Sequence, residues 1–251
     1  MAAPPDLLAQ TEPVQQAFHH LVKEGYVILD RALPRATVDQ LEAALETVLV
    51  AGIDPADDRC RIGTRRYALP IALSGPFAAP IVYANPAVTA VARVALDRSV
   101  ILQGFGAEVA LPGAAPQHID RDGRLLFDAD LSPLLPAHAL TCRLAVGEAH
   151  AVALWPGSHR WKTRNEDAPP EVIEVPPGSV AVFDSRLLSG AAANRSDRPQ
   201  RVLQAAYTRR WFRDSSHGLR LAAAKLEVGR GFLATVDPDD RGLFAHLRQT
   251  P

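Results

Sequence analysis

Cysteine is nearly absent from this chain, and so are long apolar runs and an excess of either charge. Cys60 and Cys142 are its only cysteines. Neither lies in a metal-type cysteine pair, which excludes a disulfide scaffold and a cysteine-built zinc site and fits a reducing cytoplasm. Lysine plus arginine is 27 against 28 aspartate plus glutamate, a formal charge of -1. Such a balance argues against a nucleic-acid footprint and against a polybasic membrane anchor. No window holds about 18 uncharged apolar residues, so no membrane span is expected. The opening MAAPPDLLAQ lacks a basic n-region and a long apolar h-region, so no signal peptide is expected either.

What is present suits one substantial domain. The chain has 251 residues, 47% of them hydrophobic, enough for a proper core. Helical spacing runs over 13–24, where Val14, Phe18, Leu21 and Val22 share a face, and over 35–51 through Val38, Leu41, Leu45, Val48 and Leu49. Gly25 and Gly52 are natural stops, and YVIL after Gly25 reads as a short strand. A third helix is predicted over 86–97, opening on a proline. The polar segment 53–67 reads as a loop, and 238–249 as a short final helix. From residue 99 the texture changes to short β-like runs, SVILQGFGAEVAL, ALTCRLAVG, AVALW, EVIEV, SVAVFDS and RVLQAAYTRRW, separated by LPGAAP, PGSH, PPGS and NRSDRPQ. Helices first and strands after predict a mainly β fold, an antiparallel sandwich or barrel with flanking helices on one side. The division expected is a helical part over about 13–97, a β core over about 99–212 and a tail over 213–251, all within one domain. The loop 162–170, KTRNEDAPP, reads as charged and mobile.

Three stretches together resemble one family. FHHLVKEGYVILDRALP, LWPGSHRW and PPGSVAVFDSRLLSGAAANRSDRPQRVLQAAYTRRW are similar to the opening, the Pro-Gly-Ser-His turn and the closing strands of phytanoyl-CoA dioxygenase-like proteins, over about residues 15–212. The resemblance implies a double-stranded β-helix (a jelly roll of cupin-like type) with its site in the barrel mouth. It also implies Fe(II) held by two histidines and a carboxylate, and an arginine gripping 2-oxoglutarate.

The residues depart from that pattern. In DSRLLSGAAANRSDRPQRV the histidine position holds Ser189 and the arginine position holds Gln200, with Arg201 beside it on the opposite strand face. In PQHIDRDGR the anchors Pro112-Gly113, Gln117 and Asp122-Gly123 favour a register in which Asp120 and Asp122 stand where the family has His-x-Asp. A two-residue slip would make His118 and Asp120 the pair, and strand parity does not choose between them. Neither register restores the triad, so the expectation is that no cofactor is bound. The alternative is an Fe(II) and 2-oxoglutarate site built atypically from His118, Asp120 and His150.

Two roles then compete with the oxygenase. One is a repurposed enzyme of specialised metabolism. Asp120 and Asp122 would supply acid or base, and Arg143, Gln117, Ser189, Gln200 and Arg209 would line the substrate site. The other is a non-catalytic subunit, in a homodimer or paired with a related active chain. A small-molecule metabolite is the expected ligand. Arg143, mid-strand in TCRLAVG, is expected to bind an anion or to pair with Asp120 or Asp122. The cluster Arg59, Arg61, Arg65 and Arg66 reads as ordinary surface charge.

Overall fold

The computed structural model describes residues 11–52, 60–165, 167–212 and 226–247. Three helices form where the periodicity predicts them. α1 (Glu12–Glu24) has Pro13 in its first turn and ends at Gly25, at φ 87° with its N–H on the Leu21 carbonyl. A Cβ on Gly25 would also lie 2.5 Å from His159 Nδ1, so both conformation and space require glycine there. α2 (Arg35–Gly52) buries Val38, Leu41 and Leu45. α3 (Pro86–Ala95) is capped by the Asn85 side chain, which accepts from the N–H groups of Ala87 and Val88. Val22 departs from its expected place on the buried face of α1 and is 52% exposed; only Val14 and Leu21 of that helix are buried.

The strands are β1 (Tyr26–Leu29), β2 (Arg61–Gly63), β3 (Arg66–Pro70), β4 (Ala72–Leu73), β5 (Ile101–Ala110), β6 (Asp120–Arg121) and β7 (Ala139–Val146). They continue with β8 (His150–Leu154), β9 (Glu171–Val175), β10 (Val180–Asp184), β11 (Leu188–Ala191), β12 (Gln200–Thr208) and β13 (Glu227–Val228). Seven form one sheet in the order β1-β10-β7-β12-β5-β3-β2, and four form a second in the order β6-β11-β8-β9. All pairings within these two sheets are antiparallel. This is the mainly β, jelly-roll architecture the sequence predicts.

Each face of the large sheet has its own core. On the helix side, Leu144, Leu203, Phe105, Val109 and Val182 pack with Leu41, Leu45, Val88 and Val91. A cavity of about 20 Å³ beside Asn85, Cys142 and Tyr207 lies on that side, enough for about one water. On the other side, Ala145, Ala181 and Phe183 of the large sheet meet Val152, Leu154 and Val175 of the small one. The two inner faces therefore face each other across a narrow barrel.

Three expectations need correction. The part before residue 97 holds more strand than the expected YVIL: β2 and β3 join β1 in the large sheet. The predicted loop 53–67 gives way to strand from Arg61, because the β2–β3 hairpin finds a partner in β5; residues 53–59 lie outside the described residues. The final helix shrinks to one 3₁₀ turn at Arg241–Phe244, whose Leu243 and Phe244 are buried, and 248–249 lie outside the described residues. The 162–170 loop is tied to the barrel. The Trp155 indole N–H donates to Ala168 O at 2.7 Å, and the Arg164 guanidinium sits 4.9 Å over the Trp155 ring.

Candidate functional site

The short strand β6 pairs with β11 so that Asp120 lies opposite Ser189 and Arg121 opposite Leu188. Gln117 extends the contact: its N–H donates to Ala191 O at 2.9 Å, and its side-chain oxygen accepts from Ala191 N–H at 3.3 Å. The segment 117–119 can cross β11 this closely because residue 190 is glycine. A Cβ there would stand 2.8 Å from Ile119 and 3.2 Å from His118 O.

Arg121 clamps the segment from behind. Its guanidinium donates to Ser158 O and Trp161 O, each at 2.9 Å, and also contacts Arg186 O. Burial lowers the pKa of this arginine, and the Asp184 charge partly offsets the effect. Arg186 in turn forms a buried two-point pair with Asp184, at 3.0 and 2.7 Å. With Arg121 anchored on one face, alternation directs Asp120 and Asp122 to the other.

Asp122 meets Arg143 there, at 3.5 Å. Arg143 rises from the inner face of β7, opposite Gln204 of β12, and also reaches Glu108 of β5 at 3.4 Å. Burial works against its charge, but Glu108 and Asp122 outweigh that and raise its pKa. Arg66 stands on the same inner face, opposite Ala110, which itself lies opposite Gln200. Its guanidinium donates to Ala115 O at 2.9 Å and contacts Ala192 O. His150 faces this group from β8, buried to 2% exposure, with neither ring nitrogen hydrogen-bonded. Burial first, then the Arg143 and Arg66 charges, push its pKa down to about 3, so the ring is neutral near pH 7.

The predicted residues therefore fall into two groups. Asp120, Asp122, Arg143, Gln117 and Ser189 come together around the mouth, and Gln200 lies half-buried at the end of β12. Arg209 does not join them: it donates to Ala137 O, the Asp97 carboxylate and Ala95 O. His118 is exposed, and Arg201 turns to the helix side, where it pairs with Glu42 and Glu46 of α2. His159 reaches Val22 O at 3.1 Å. Arg59 lies outside the described residues. Arg66 is not surface charge as expected; it is 2% exposed. Glu108 went unpredicted, although a carboxylate in the apolar run GFGAEVAL was its visible signal.

Comparison with known proteins agrees with this architecture. The model of the family described as Phytanoyl-CoA dioxygenase (PhyH) matches residues 21–202. Dioxygenase af480 of Aspergillus fumigatus is 24% identical over 208 residues, which cover 77% of this chain and 66% of that protein. Among solved structures, the non-heme alpha ketoglutarate dependent epimerase SnoN from nogalamycin biosynthesis matches with a TM-score of 0.58 at 19% identity, covering 78% of this chain and 83% of that one. HygX from Streptomyces hygroscopicus matches with a TM-score of 0.63 at 13% identity, covering 85% and 96%.

These relatives correct the expectation that no cofactor is bound. SnoN has been solved with Fe3+ and alpha ketoglutarate, and HygX with nickel and 2-oxoglutarate. Metal and 2-oxoglutarate binding is therefore where the comparisons point. The donors of this chain depart from a two-histidine, one-carboxylate centre. Asp120, Asp122 and Ser189 offer two carboxylates and a hydroxyl, and Asp122 already holds the Arg143 cation. The alternative set fits no better, with His118 exposed and His150 buried on another strand. Among the described residues no three His, Cys, Asp or Glu side chains are grouped to hold a metal ion.

Proposed function

We propose, for a chain that belongs to the phytanoyl-CoA dioxygenase (PhyH) family, a repurposed dioxygenase-fold enzyme of specialised metabolism. It acts on a small metabolite by acid–base chemistry at the barrel mouth. The observation that carries this reading is the Asp122–Arg143–Glu108 network, with Asp120 two residues from Asp122 on the strand paired with β11. Asp120 is the carboxylate exposed at the mouth, suited to take or return a proton. Arg143 is fixed from both sides, so its position is set before any ligand arrives. Epimerisation, elimination and ring closure all need this minimum, a base beside a held polar group. The SnoN epimerase, from nogalamycin biosynthesis, supports the setting by analogy of fold.

The test is carbon-bound proton exchange. The protein is incubated in D₂O with a panel of ketones and lactones, and deuterium incorporation is followed by mass spectrometry. Asp120→Asn is expected to lower exchange by about 10²–10⁴-fold, the usual contribution of a positioned acid or base. Unchanged exchange in both Asp120→Asn and Asp122→Asn would sink the reading.

A second reading is a subunit acting beside a related active chain. It is favoured by exposed apolar side chains, Phe127 at 52%, Leu134 at 80% and Trp211 at 63%. Native mass spectrometry after mixing with an active member of the family is expected to show a one-to-one species; separate monomers at every concentration would remove it.

A further inference from the structure

α1 ends against a turn that also holds the strand of the mouth. The last four carbonyls of a helix have no partner within it. In α1 these belong to Leu21, Val22, Lys23 and Glu24, and all four are answered. Gly25 N–H donates to Leu21 O at 2.8 Å. The other three partners come from the Pro-Gly-Ser-His turn and the arginine after it. His159 Nε2 lies 3.1 Å from Val22 O, Arg160 Nη2 donates to Lys23 O at 3.0 Å, and Gly157 N–H donates to Glu24 O at 2.7 Å. A carbonyl can only accept, so the His159 ring carries a proton on Nε2. Burial lowers the pKa of this ring, which keeps it neutral near pH 7.

The same turn grips β6. Ser158 O and Trp161 O both accept from the Arg121 guanidinium at 2.9 Å. Ser158 Oγ accepts from Leu188 N–H at 2.9 Å, which fixes the turn to the strand that β6 pairs with. With its contact to Arg186 O, one guanidinium ties three carbonyls from two segments. A planar fork of several N–H groups spans them, whereas a lysine ammonium is a single point of charge. β6 has little else to hold it: it is two residues long, stands at the edge of the small sheet and has β11 as its one strand neighbour among the described residues.

Asp120 and Asp122 are the chain neighbours of Arg121, turned to the other face of the strand. Their placement depends on where the Arg121 backbone is held. We propose that Arg121 is a positioning residue for these two carboxylates and that His159 acts through it, so that the seating of α1 on the turn sets where Asp120 and Asp122 stand. This deepens the acid–base reading above and rests on it. A catalytic group displaced by ~1 Å loses on the order of 10²-fold in rate. A helix cap distant in sequence thereby becomes a determinant of the mouth.

The carboxylates themselves supply the test. Protein carrying ¹³C at its aspartate side-chain carboxyls is observed by NMR, with Asp120, Asp122 and Asp97 assigned by the signals lost in their Asn variants. Asp97 pairs with Arg209, outside the site, and is the reference for a folded chain. Arg121→Lys and His159→Phe are each expected to move the Asp120 and Asp122 signals and to leave Asp97 in place. The double variant should move them no further than Arg121→Lys alone, as for two residues acting through one link. His159→Gln, whose amide N–H can reach Val22 O, should restore them. Deuterium exchange into the same panel of ketones and lactones should fall about 10²-fold in Arg121→Lys. Asp120 and Asp122 signals unmoved in either variant, or shifts that simply add in the double variant, overturn the proposal, and so does undiminished exchange in Arg121→Lys. His159→Phe puts the question from the far end of the turn, so it decides alone if Arg121→Lys does not fold. An unaltered protein that exchanges nothing sinks the acid–base reading, while the carboxylate signals still decide the positioning.

Discussion

At the residue scale, the burial of a few charged and titratable side chains decides the consequences. His150 is the clearest case. Its folded pKa of about 3 lies below the ordinary value of 6.5. Between pH 6.5 and 3 the unfolded chain therefore binds a proton that the folded chain refuses, and stability falls as pH falls through that window. At pH 5 the loss from this residue is about 2 kcal/mol, at 1.36 kcal/mol per pH unit. Urea unfolding at pH 7 and pH 5 should show it, and His150→Phe should flatten the dependence between the two. An equal pH slope in the variant would mean that other groups carry it. The same scale governs Arg186, whose pair with Asp184 is buried on both sides at 3% and 4% exposure. Arg186→Met leaves the Asp184 carboxylate buried without its cation, and should cost about 3–5 kcal/mol in denaturant unfolding. Restoration by the double change Arg186→Met with Asp184→Asn would identify the stranded charge, not lost packing, as the cause.

At the scale of elements, some strands were legible and others were not. β5, β7, β10 and β12 are predominantly apolar, so they read directly from the sequence. β11, Leu188–Ala191, did not: LSGA is short and carries no alternating apolar pattern. It is a strand because β6 and β8 supply its hydrogen bonds from either side. β6 consists of two residues, Asp120 and Arg121, too few for any periodicity, and it exists through its pairing with β11 and the Arg121 clamp. The 162–170 loop gives the converse lesson. Its charge suggested mobility, but Trp155 holds it by one hydrogen bond and one cation–ring contact. Trp155→Phe removes the hydrogen bond and weakens the contact, for a loss of about 1 kcal/mol. Limited proteolysis within the loop should quicken while the global unfolding midpoint moves little. A loop equally resistant in the variant would show that other contacts hold it.

At the scale of the whole molecule, strand pairing and ion pairs join the helical and β parts. β1 comes from the N-terminal segment and forms one edge of the large sheet, paired with β10. α2 is locked to β12 through Arg201, Glu42 and Glu46. A chain truncated before Arg31 would lose α1 and β1 and expose both the β10 edge and the Val27 and Leu21 contacts. Such a truncation should aggregate or lose its single cooperative melting transition, as seen by calorimetry. A clean two-state melt would show that the β core stands alone. No helix among the described residues is long and apolar enough to cross a membrane, in keeping with the hydropathy of the sequence.

What the sequence determined by itself was type and location. Helix periods, apolar strand runs, the family resemblance and the residues at the departing positions, Asp120, Asp122, Ser189 and Gln200, all follow from local order along the chain. Tertiary structure alone decided who meets whom. Arg66 reads as one of four surface arginines, and Glu108 as an oddity in a strand. Pairing within the large sheet sets them on one face with Arg143, and closure of the small sheet over that face brings Asp122 and His150 to the group. The physical reason is that strand parity assigns each side chain a face, whereas partners across a barrel come from strands far apart in sequence. Charge, burial and unanswered hydrogen bonds are properties of that meeting and not of any one segment.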